Sequence, residues 1–458
     1  MPAIDLSRLS ACVEDARRAW LDRDAGPADP ADYADLLARL AAARDKLPPL
    51  YRTTAADPYI AAVKGLGATK FGALLAADPR RERTAGLMLD IAQAILQNGE
   101  GYEAKATDAF QEVISDLYDG FLSAEDRRGV KEPDYEKIAP LVKWGKPDSG
   151  PYTWPADATR SFGLDIAIVS LPPGNARHGL CAYAALAHET GGHDILHADE
   201  GLLRELAQRV RAALIGAKAG AALADYWASR VDETASDVLG VLNLGPAAAV
   251  GLLAYFRGLR AAFGGAPTLA NDGAAADPHP ADIVRAWLGA ETVRLLEFDG
   301  AADWADAIAR ETDRDVATIR LAGRRVTPAQ ARKSAAIVAR AIATDRLAAL
   351  DGHALAEIQN WRNADELLVA KLKPVLGKRG DLPPEYAGGT YAAHVVAAGV
   401  TAALDKGARI PAIFDRMLGV LKAMHDANPS WGPLYVAHPG DIARDFVLAM
   451  GRAPGRVA

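Results

Sequence analysis

The sequence has little of several features that define whole classes of protein. Only two cysteines, Cys12 and Cys181, occur among 458 residues. Two cysteines are too few for a disulfide framework or for a zinc cluster held by several thiolates, although one bridge would be possible. We expect both to be buried thiols, as unpaired cysteines usually are.

Excess positive charge and long apolar runs are also lacking. Lys and Arg number 52 against 59 Asp and Glu, which gives a formal net charge of −7 with both signs interleaved. Without a basic stripe to neutralise phosphates, a nucleic-acid partner is not expected. No uninterrupted apolar stretch reaches about 18 residues, and the first 20 residues carry acids and arginines where a signal peptide has an apolar core. The sequence therefore predicts a cytoplasmic protein without a membrane partner.

Apolar residues at helical spacing are abundant. Half of the residues are apolar, and segments such as DYADLLARLAAARDKL and PAQARKSAAIVARAIATDRLAAL repeat them with the period of an amphipathic helix. The strongest strand signal is LDIAIVSLP, because β-branched residues cluster there between glycine and proline. These patterns predict a mainly α fold with a small β-sheet, of the α+β class.

The polar residues that suggest chemistry are concentrated near the middle of the chain. Four of the nine histidines, at positions 178, 188, 193 and 197, fall within 20 residues. A zinc hydrolase needs imidazole and carboxylate ligands, an open position for water, and a carboxylate that takes the proton from that water. In the segment HETGGH, His188 and His193 can supply two metal ligands, and Glu189 can supply the general base.

The spacing of this segment differs from the common H-E-x-x-H helix by one residue. In a regular helix, side chains five positions apart point about 140° away from each other, so the two imidazoles would not share one ion. A one-residue π-bulge would restore the alignment, and Gly191 and Gly192 weaken the helix where it is needed. We therefore expect a bulged metal helix over residues 180–197.

The third ligand is expected from a neighbouring helix, predicted over residues 224–242. Its best candidate is Glu233 in VDETASDVLG, and Asp237 lies one helical turn later on the same face. Asp237 could accept a hydrogen bond from the second ring nitrogen of one ligating histidine, and Asp232 could do so for the other. His197 is expected beside the site or on the surface.

Two alternatives to this ligand set remain open from the sequence. His193 and His197 could form the metal pair in a regular H-D-x-x-H frame, with Asp194 as the base. Asp237 could replace Glu233 as the third ligand. His193 is a metal ligand in both alternatives, whether its partner is His188 or His197.

Candidates for stabilising a tetrahedral intermediate follow a Gly- and Pro-rich loop. His279 and Arg285 precede or begin the helix DIVRAWLGAETVRLL, from which they could reach the site as catalytic residues. His438 and Arg444 repeat this pattern near the end of the chain. Tyr226 and Tyr435 are candidates on the same chemical grounds.

These motifs resemble the dipeptidyl peptidase III type of metallopeptidases, whose signature is H-E-x-x-G-H followed by E-E-x-x-A-E or a close variant. HETGGH fits the first part fully, and residues 232–237, DETASD, keep the second part loosely. The resemblance covers about residues 164–239. It implies Glu233 as a zinc ligand and a zincin-like core, in which an edge strand at residues 164–171 would hold extended substrate by main-chain pairing.

The sequence therefore predicts three regions: a helical one at 1–128, a metal-binding catalytic one at 129–300, and a helical one at 301–458. The expected function is a zinc-dependent metallopeptidase that cleaves peptide bonds, with Zn²⁺ as cofactor and a short peptide or small amide as substrate. Glu189 would remove a proton from zinc-activated water. A zinc hydrolase or lyase with a non-peptide substrate, or an inactive zinc-binding protein, would carry the same ligands.

Overall fold

The part of the chain that the structure describes is mostly helical. The structure is a computed structural model and describes residues 4–23, 26–124, 126–135, 138–147, 150–191, 193–377 and 390–427. The helices are α1 (Leu9–Leu21), α2 (Tyr33–Arg44), α3 (Pro49–Tyr51), α4 (Asp57–Ala77), α5 (Thr84–Glu100), α6 (Ala104–Leu122), α7 (Ala156–Thr159), α8 (Leu180–Gly191), α9 (Leu202–Gly216), α10 (Ala221–Ala228), α11 (Val231–Leu244), α12 (Pro246–Ala262), α13 (Asp282–Val293), α14 (Ala301–Asp313), α15 (Pro328–Thr344), α16 (Leu355–Ile358), α17 (Asn363–Gly377), α18 (Ala392–Ala403) and α19 (Ile410–Ala427). The strands are β1 (Leu141–Trp144), β2 (Tyr152–Trp154), β3 (Ile168–Leu171), β4 (Asp272–Gly273), β5 (Ile319–Leu321) and β6 (Arg324–Val326). This confirms the predicted mainly α fold with little sheet.

The first sheet has the strand order β1-β3-β2. Strand β3 runs parallel to β1 and antiparallel to β2, so that Val169 pairs with both Val142 and Thr153. The strand predicted at residues 164–171 therefore forms in part, but its prediction as an edge strand is wrong. All four residues of β3 are buried, and a continuous apolar run is typical of a strand that is covered on both faces. Strand β2, whose residues are half-buried, lies at one edge.

The second sheet has the order β4-β5-β6 and fixes the long loop before α13. Strand β4 belongs to that loop and pairs parallel with β5. The main-chain nitrogen of Ala322 donates to the carbonyl of Gly273 at 2.8 Å. The loop that carries His279 is therefore tied to a β-hairpin from the later part of the chain.

Apolar side chains form two clusters on opposite faces of the first sheet. One cluster joins helices α2 to α5 with Leu141 and Ile168. The other includes Val142 and Val169 and extends through α1, α6 and the helices from α8 to α19. Alternate residues along β1 and β3 point to opposite faces, so the sheet contributes to both cores. Cys12 and Cys181 are free and buried in the larger cluster, as expected.

Helix α8 lies deep in the larger cluster. Residues 180–187 are all buried, and α8 packs against α1, α6, α11, α12 and α18. Its first turn is capped from another helix, because the Asp15 carboxylate of α1 accepts from the main-chain nitrogens of Gly179 and Leu180 at 3.0 and 2.8 Å. Main-chain donors at a helix start need such acceptors when water is excluded. The helix that bears His188 is thus fixed from its first residue.

Small residues let α12 approach α8 closely. A Cβ added at Gly251 would lie 2.4 Å from the Cβ of Ala184, closer than real contacts allow. We expect Gly251→Ala to lower the free energy of unfolding by about 1–3 kcal/mol, as overpacking of a core does. The measurement is urea unfolding, with Gly72→Ala in α4 as the matched control. Because Gly72 faces open space, that change should instead raise stability by about 0.5–1 kcal/mol. Equal effects at both positions would contradict the close approach.

The metal helix was predicted over residues 180–197, and this prediction is wrong at its end. Helix α8 is regular and ends at Gly191, without a π turn among residues 180–191. Among the described residues between Gly191 and α9, the regular element is a 3₁₀ turn, Ile195–His197. The physical reason is that glycine favours the end of a helix more than the continuation of a bulged one. The helix predicted at 224–242 is likewise two helices, α10 and α11.

One helical stretch, Pro49–Ala77, is long and apolar enough to cross a membrane by length and composition alone. It includes α4, and little of its apolar surface is buried. Lysines at positions 64 and 70 interrupt it, which is why no uninterrupted apolar run is visible in the sequence. A single helix of this kind is weak support for a membrane span, and the described chain otherwise folds as a globular protein.

Candidate metal centre

The two histidines of HETGGH meet although they belong to different local structures. His188 lies in the last turn of α8 and is buried, whereas His193 follows the end of the helix and is partly exposed. Their ring centroids are 5.2 Å apart and the ring planes are nearly perpendicular, at 89°. The turn at His193 and Asp194 thus accompanies the approach of two side chains that a straight helix would separate.

Glu233 in the first turn of α11 joins both histidines. His188 Nε2 is 3.4 Å from Glu233 Oε2, and His193 Nε2 is 3.5 Å from Glu233 Oε1. One ligand atom from each of the three residues lies within 4.8 Å of the others. Atoms that bind a tetrahedral zinc at about 2.0–2.2 Å are about 3.3–3.6 Å from one another. Each imidazole nitrogen is at such a distance from one of the two Glu233 oxygens. The set as a whole, with one atom per residue within 4.8 Å, would have to contract slightly around a zinc ion.

A buried oxygen without a hydrogen bond also suits a metal ion. Glu233 Oε2 is fully withdrawn from solvent and makes no hydrogen bond within the described chain. His188 Nε2 at 3.4 Å and Arg285 Nη1 at 3.6 Å are charged groups close to this oxygen, but neither makes a good hydrogen bond to it. A buried carboxylate oxygen without a hydrogen bond costs free energy, which coordination to a cation would offset. The donor set of two imidazoles and one carboxylate is the one found in many catalytic zinc sites.

A second layer of charged groups holds His188. Its Nδ1 lies 2.9 Å from Asp237 Oδ1, one turn after Glu233 on α11. Arg285 of α13 donates to both oxygens of Asp237 at 2.8 Å, and its guanidinium packs over the Phe256 ring. A carboxylate on the far nitrogen fixes the ring, and Nε2 lies between Glu233 Oε2 at 3.4 Å and the Arg285 guanidinium at 3.3 Å, which a metal ion at this position would have to displace. The structure thus places Asp237 where the sequence suggested, with Arg285 as its partner.

The charges of this cluster shift its pKa values in a consistent way. Burial and the nearby Arg285 act to lower the pKa of His188, but contacts with Asp237 and Glu233 raise it to about 10. Burial acts to raise the pKa of Glu233, but His188, Arg285 and His193 lower it to about 2. The carboxylates are therefore ionised at neutral pH and favour positive charge at the centre. A divalent cation would take the place of the imidazolium proton.

The far side of His193 has weaker contacts. Its Nδ1 is 3.7 Å from Asp232 Oδ2, and His197 Nε2 is 3.8 Å from Asp232 Oδ1. His197 is exposed and Asp232 is half-buried, with 42% and 48% of their side-chain surfaces open to solvent. The structure thus brings both near the site, at distances longer than good hydrogen bonds.

Glu189 directly follows His188 and is half-buried. Burial acts to lower the pKa of His193, but contact with Asp232 and the negative charges of Glu189 and Glu233 raise this pKa overall. Burial, and secondarily Glu189, also raises the pKa of Tyr255. The Glu189 carboxylate is thus within electrostatic range of both His193 and Tyr255. No hydrogen-bond donor to that carboxylate occurs among the residues that the structure describes.

His279 and Arg285 both reach the centre, in different roles. His279 is exposed at the rim; its Nδ1 lies 2.8 Å from Asp277 Oδ1, and its Nε2 lies 3.5 Å from Glu233 Oε1. Arg285 is buried, and its contacts are with Asp237, His188 and Glu233. The His279 side chain is therefore accessible to a substrate. The Arg285 side chain is instead occupied by its contacts with the residues behind the candidate metal ligands.

The weaker candidates do not join this cluster. The Tyr226 hydroxyl accepts from the main-chain nitrogen of Ala281 at 3.0 Å and is buried in the loop packing. Tyr435, His438 and Arg444 lie outside the described residues. In the H-D-x-x-H frame, Asp194 was the possible base, but it is buried and accepts hydrogen bonds from Tyr118 and Ala156. This geometry favours the frame of His188 and His193.

Comparison with protein-family models, curated proteins and solved structures found no match. The resemblance to the dipeptidyl peptidase III type rests on the residues of HETGGH and DETASD alone. Sequence reasoning did not single out Asp277 or Tyr118. Asp277 stands two positions before His279, so a local contact could have been suspected, whereas nothing in the sequence connects Tyr118 with His193.

Proposed function

We propose that this protein is a zinc-dependent metallopeptidase acting on short peptides. The observation that carries the proposal is the convergence of His188, His193 and Glu233, with one ligand atom of each within 4.8 Å of the others. Glu189 directly follows His188 in the chain and is half-buried. Two imidazoles, one carboxylate and an adjacent general base are the parts that hydrolysis by activated water requires. The resemblance of HETGGH to peptidase motifs points to an amide bond as the target.

The residues around the centre have distinct proposed roles. His188, His193 and Glu233 would hold the zinc, which when bound lowers the pKa of water towards about 7 and polarises a carbonyl group. Glu189 would accept the proton of the attacking water and deliver it to the leaving amine. His279, oriented by Asp277, is exposed beside Glu233 and would hydrogen-bond the substrate carbonyl oxygen as charge develops there.

Strand β2 is the better candidate for the strand that binds extended substrate. It is an edge strand, and no other described strand pairs with its outer side. The Thr153 hydroxyl donates to the main-chain carbonyl of Glu189 at 3.1 Å, so β2 lies directly beside the end of α8. A peptide added to this edge would run past the base and the metal ligands. This assignment replaces the central strand β3.

The test is cleavage of a library of short peptides by the zinc-loaded protein. We expect hydrolysis that is lost when a chelator removes the metal and is restored by about one equivalent of zinc per chain, because the metal activates the water. Non-peptide amides and esters are assayed in parallel. Turnover of those alone would favour a hydrolase of another class. Zinc binding without turnover of any substrate would indicate an inactive zinc-binding protein.

A further inference from the structure

His193 is a ligand candidate without the support that a helix normally gives. It follows the end of α8, and besides Glu233 the charged side chain beside its ring is Asp232, whose carboxylate oxygen is 3.7 Å from His193 Nδ1. That separation is too long to fix an imidazole ring. His188, by contrast, lies within α8 and is held by Asp237 at 2.9 Å. The position of His193 must therefore come from its main chain.

The main chain at His193 is anchored by the next residue. Asp194 is 1% exposed, and its two carboxylate oxygens have different partners. Oδ2 accepts from the hydroxyl of Tyr118 in α6, and Oδ1 accepts from the main-chain nitrogen of Ala156 at 3.1 Å. The carbonyl of Asp194 also accepts from the nitrogen of His197 at 2.9 Å, which closes the 3₁₀ turn.

These contacts join the turn to two separate parts of the fold. Tyr118 is fully buried in α6, which packs along α8 and α19. Ala156 is the first residue of α7, two residues after the end of β2. The carboxylate of Asp194 therefore links the segment that carries His193 with a core helix and with the edge strand. A hydrogen bond to a buried carboxylate is among the stronger ones that a protein makes.

We propose that Tyr118 is a positioning residue for the metal centre. Its hydroxyl holds the carboxylate of Asp194, and Asp194 in turn sets the main chain so that His193 Nε2 faces Glu233. The contact takes the place of the helical geometry that an H-E-x-x-H motif would provide. This inference rests on the proposed metal site, but it concerns a residue that neither touches the metal ligands nor belongs to either motif.

The other end of the same segment has an anchor of its own. Asp199 forms a fully buried ion pair with Arg127, with contacts of 2.7 and 3.0 Å. That pair lies six positions from His193, beyond the 3₁₀ turn, and so fixes the start of α9 more than the ligand. Of these two anchoring aspartates, Asp194 directly follows His193 in the chain, whereas Asp199 does not. The hydroxyl of Tyr118 is therefore the contact whose loss should affect one ligand selectively.

The test compares zinc affinity in Tyr118→Phe and in the matched control Tyr59→Phe. Tyr59 is also fully buried and donates to a main-chain carbonyl, that of Met88, in the smaller apolar cluster. Competition with a chromophoric chelator should show about 10–100-fold weaker zinc binding in Tyr118→Phe, the usual effect of losing an outer-layer partner. Tyr59→Phe should bind like wild type. Equal affinity in all three proteins would overturn the proposal.

Two further measurements separate positioning from a general loss of stability. The visible spectrum of the cobalt-substituted protein should change in Tyr118→Phe and not in Tyr59→Phe, because only the former alters the ligand geometry. Thermal unfolding of the metal-free proteins shows whether each variant is folded at the assay temperature. If Tyr118→Phe does not fold, Asp194→Asn tests the same anchor; it should weaken zinc binding, and unchanged affinity would overturn the proposal. Absence of zinc binding in wild type would refute the metal site itself.

Discussion

Glu189→Gln is expected to lower kcat for peptide cleavage by about 10²–10⁴-fold while the protein retains about one zinc ion per chain. The amide has nearly the size of the carboxylate but cannot accept a proton from water at neutral pH. Because Glu189 lies beside the ligands and is not one of them, the metal should stay bound. The measurements are steady-state kinetics on a cleaved peptide and elemental analysis of the same preparation.

The matched control for this change is Glu200→Gln. Glu200 is an exposed carboxylate a few residues beyond the metal-binding turn, so its neutralisation should leave kcat within about twofold of wild type. A Glu189→Gln protein that keeps full activity would eliminate Glu189 as the base. Loss of both zinc and activity would instead show that Glu189 contributes to metal binding.

His193→Ala and Glu233→Ala are each expected to abolish zinc binding at stoichiometric metal. Removing one of three protein ligands from such a site leaves too few donors to compete with water, so the metal content should fall from about one per chain to about a tenth or less. Elemental analysis after dialysis against zinc-supplemented and then zinc-free buffer measures this. Circular dichroism of the metal-free proteins checks that both variants are folded.

Two controls distinguish between the possible ligand sets. His197→Ala should retain zinc, because His197 is 3.8 Å from Asp232 and is not in contact with Glu233. Loss of zinc in His197→Ala, with retention in His188→Ala, would establish the H-D-x-x-H frame instead. Asp237→Asn should weaken zinc binding by about 10–100-fold without abolishing it, as expected for a group behind a ligand. Complete loss would make Asp237 a ligand.

The sequence predicted the helical character of the fold well, because helical periodicity needs only local information. The strand at Ile168–Leu171 was also visible, from its cluster of β-branched residues. The position of this strand in the sheet could not be predicted from the sequence, because its partners β1 and β2 are short and lie in a proline-rich stretch. Whether a strand is central or at an edge depends on partners elsewhere in the chain, which periodicity does not reveal.

In the candidate site, too, the sequence revealed the residues but not the contacts between distant parts of the chain. His188, His193, Glu233 and Asp237 were predicted from spacing and residue chemistry, and the structure brings them together. The backbone conformation between His188 and His193 was not predicted correctly. Paired glycines are compatible both with a bulge inside a helix and with the end of a helix. The anchoring of His193 through Tyr118 joins residues 76 positions apart, which a single sequence cannot show.

The surroundings of α8 have a consequence for the order in which the protein assembles. Its neighbours come from almost the whole chain, from α1 near the beginning to α18 beyond residue 390. During synthesis, the two histidines leave the ribosome after α1 and α6 but before α11, α12 and α18, which complete the enclosure of α8. Contacts so distant in sequence form late in folding, since the intervening chain must first be ordered. The metal would then be selected by an almost complete polypeptide, whose geometry discriminates between ions better than a nascent HETGGH segment would.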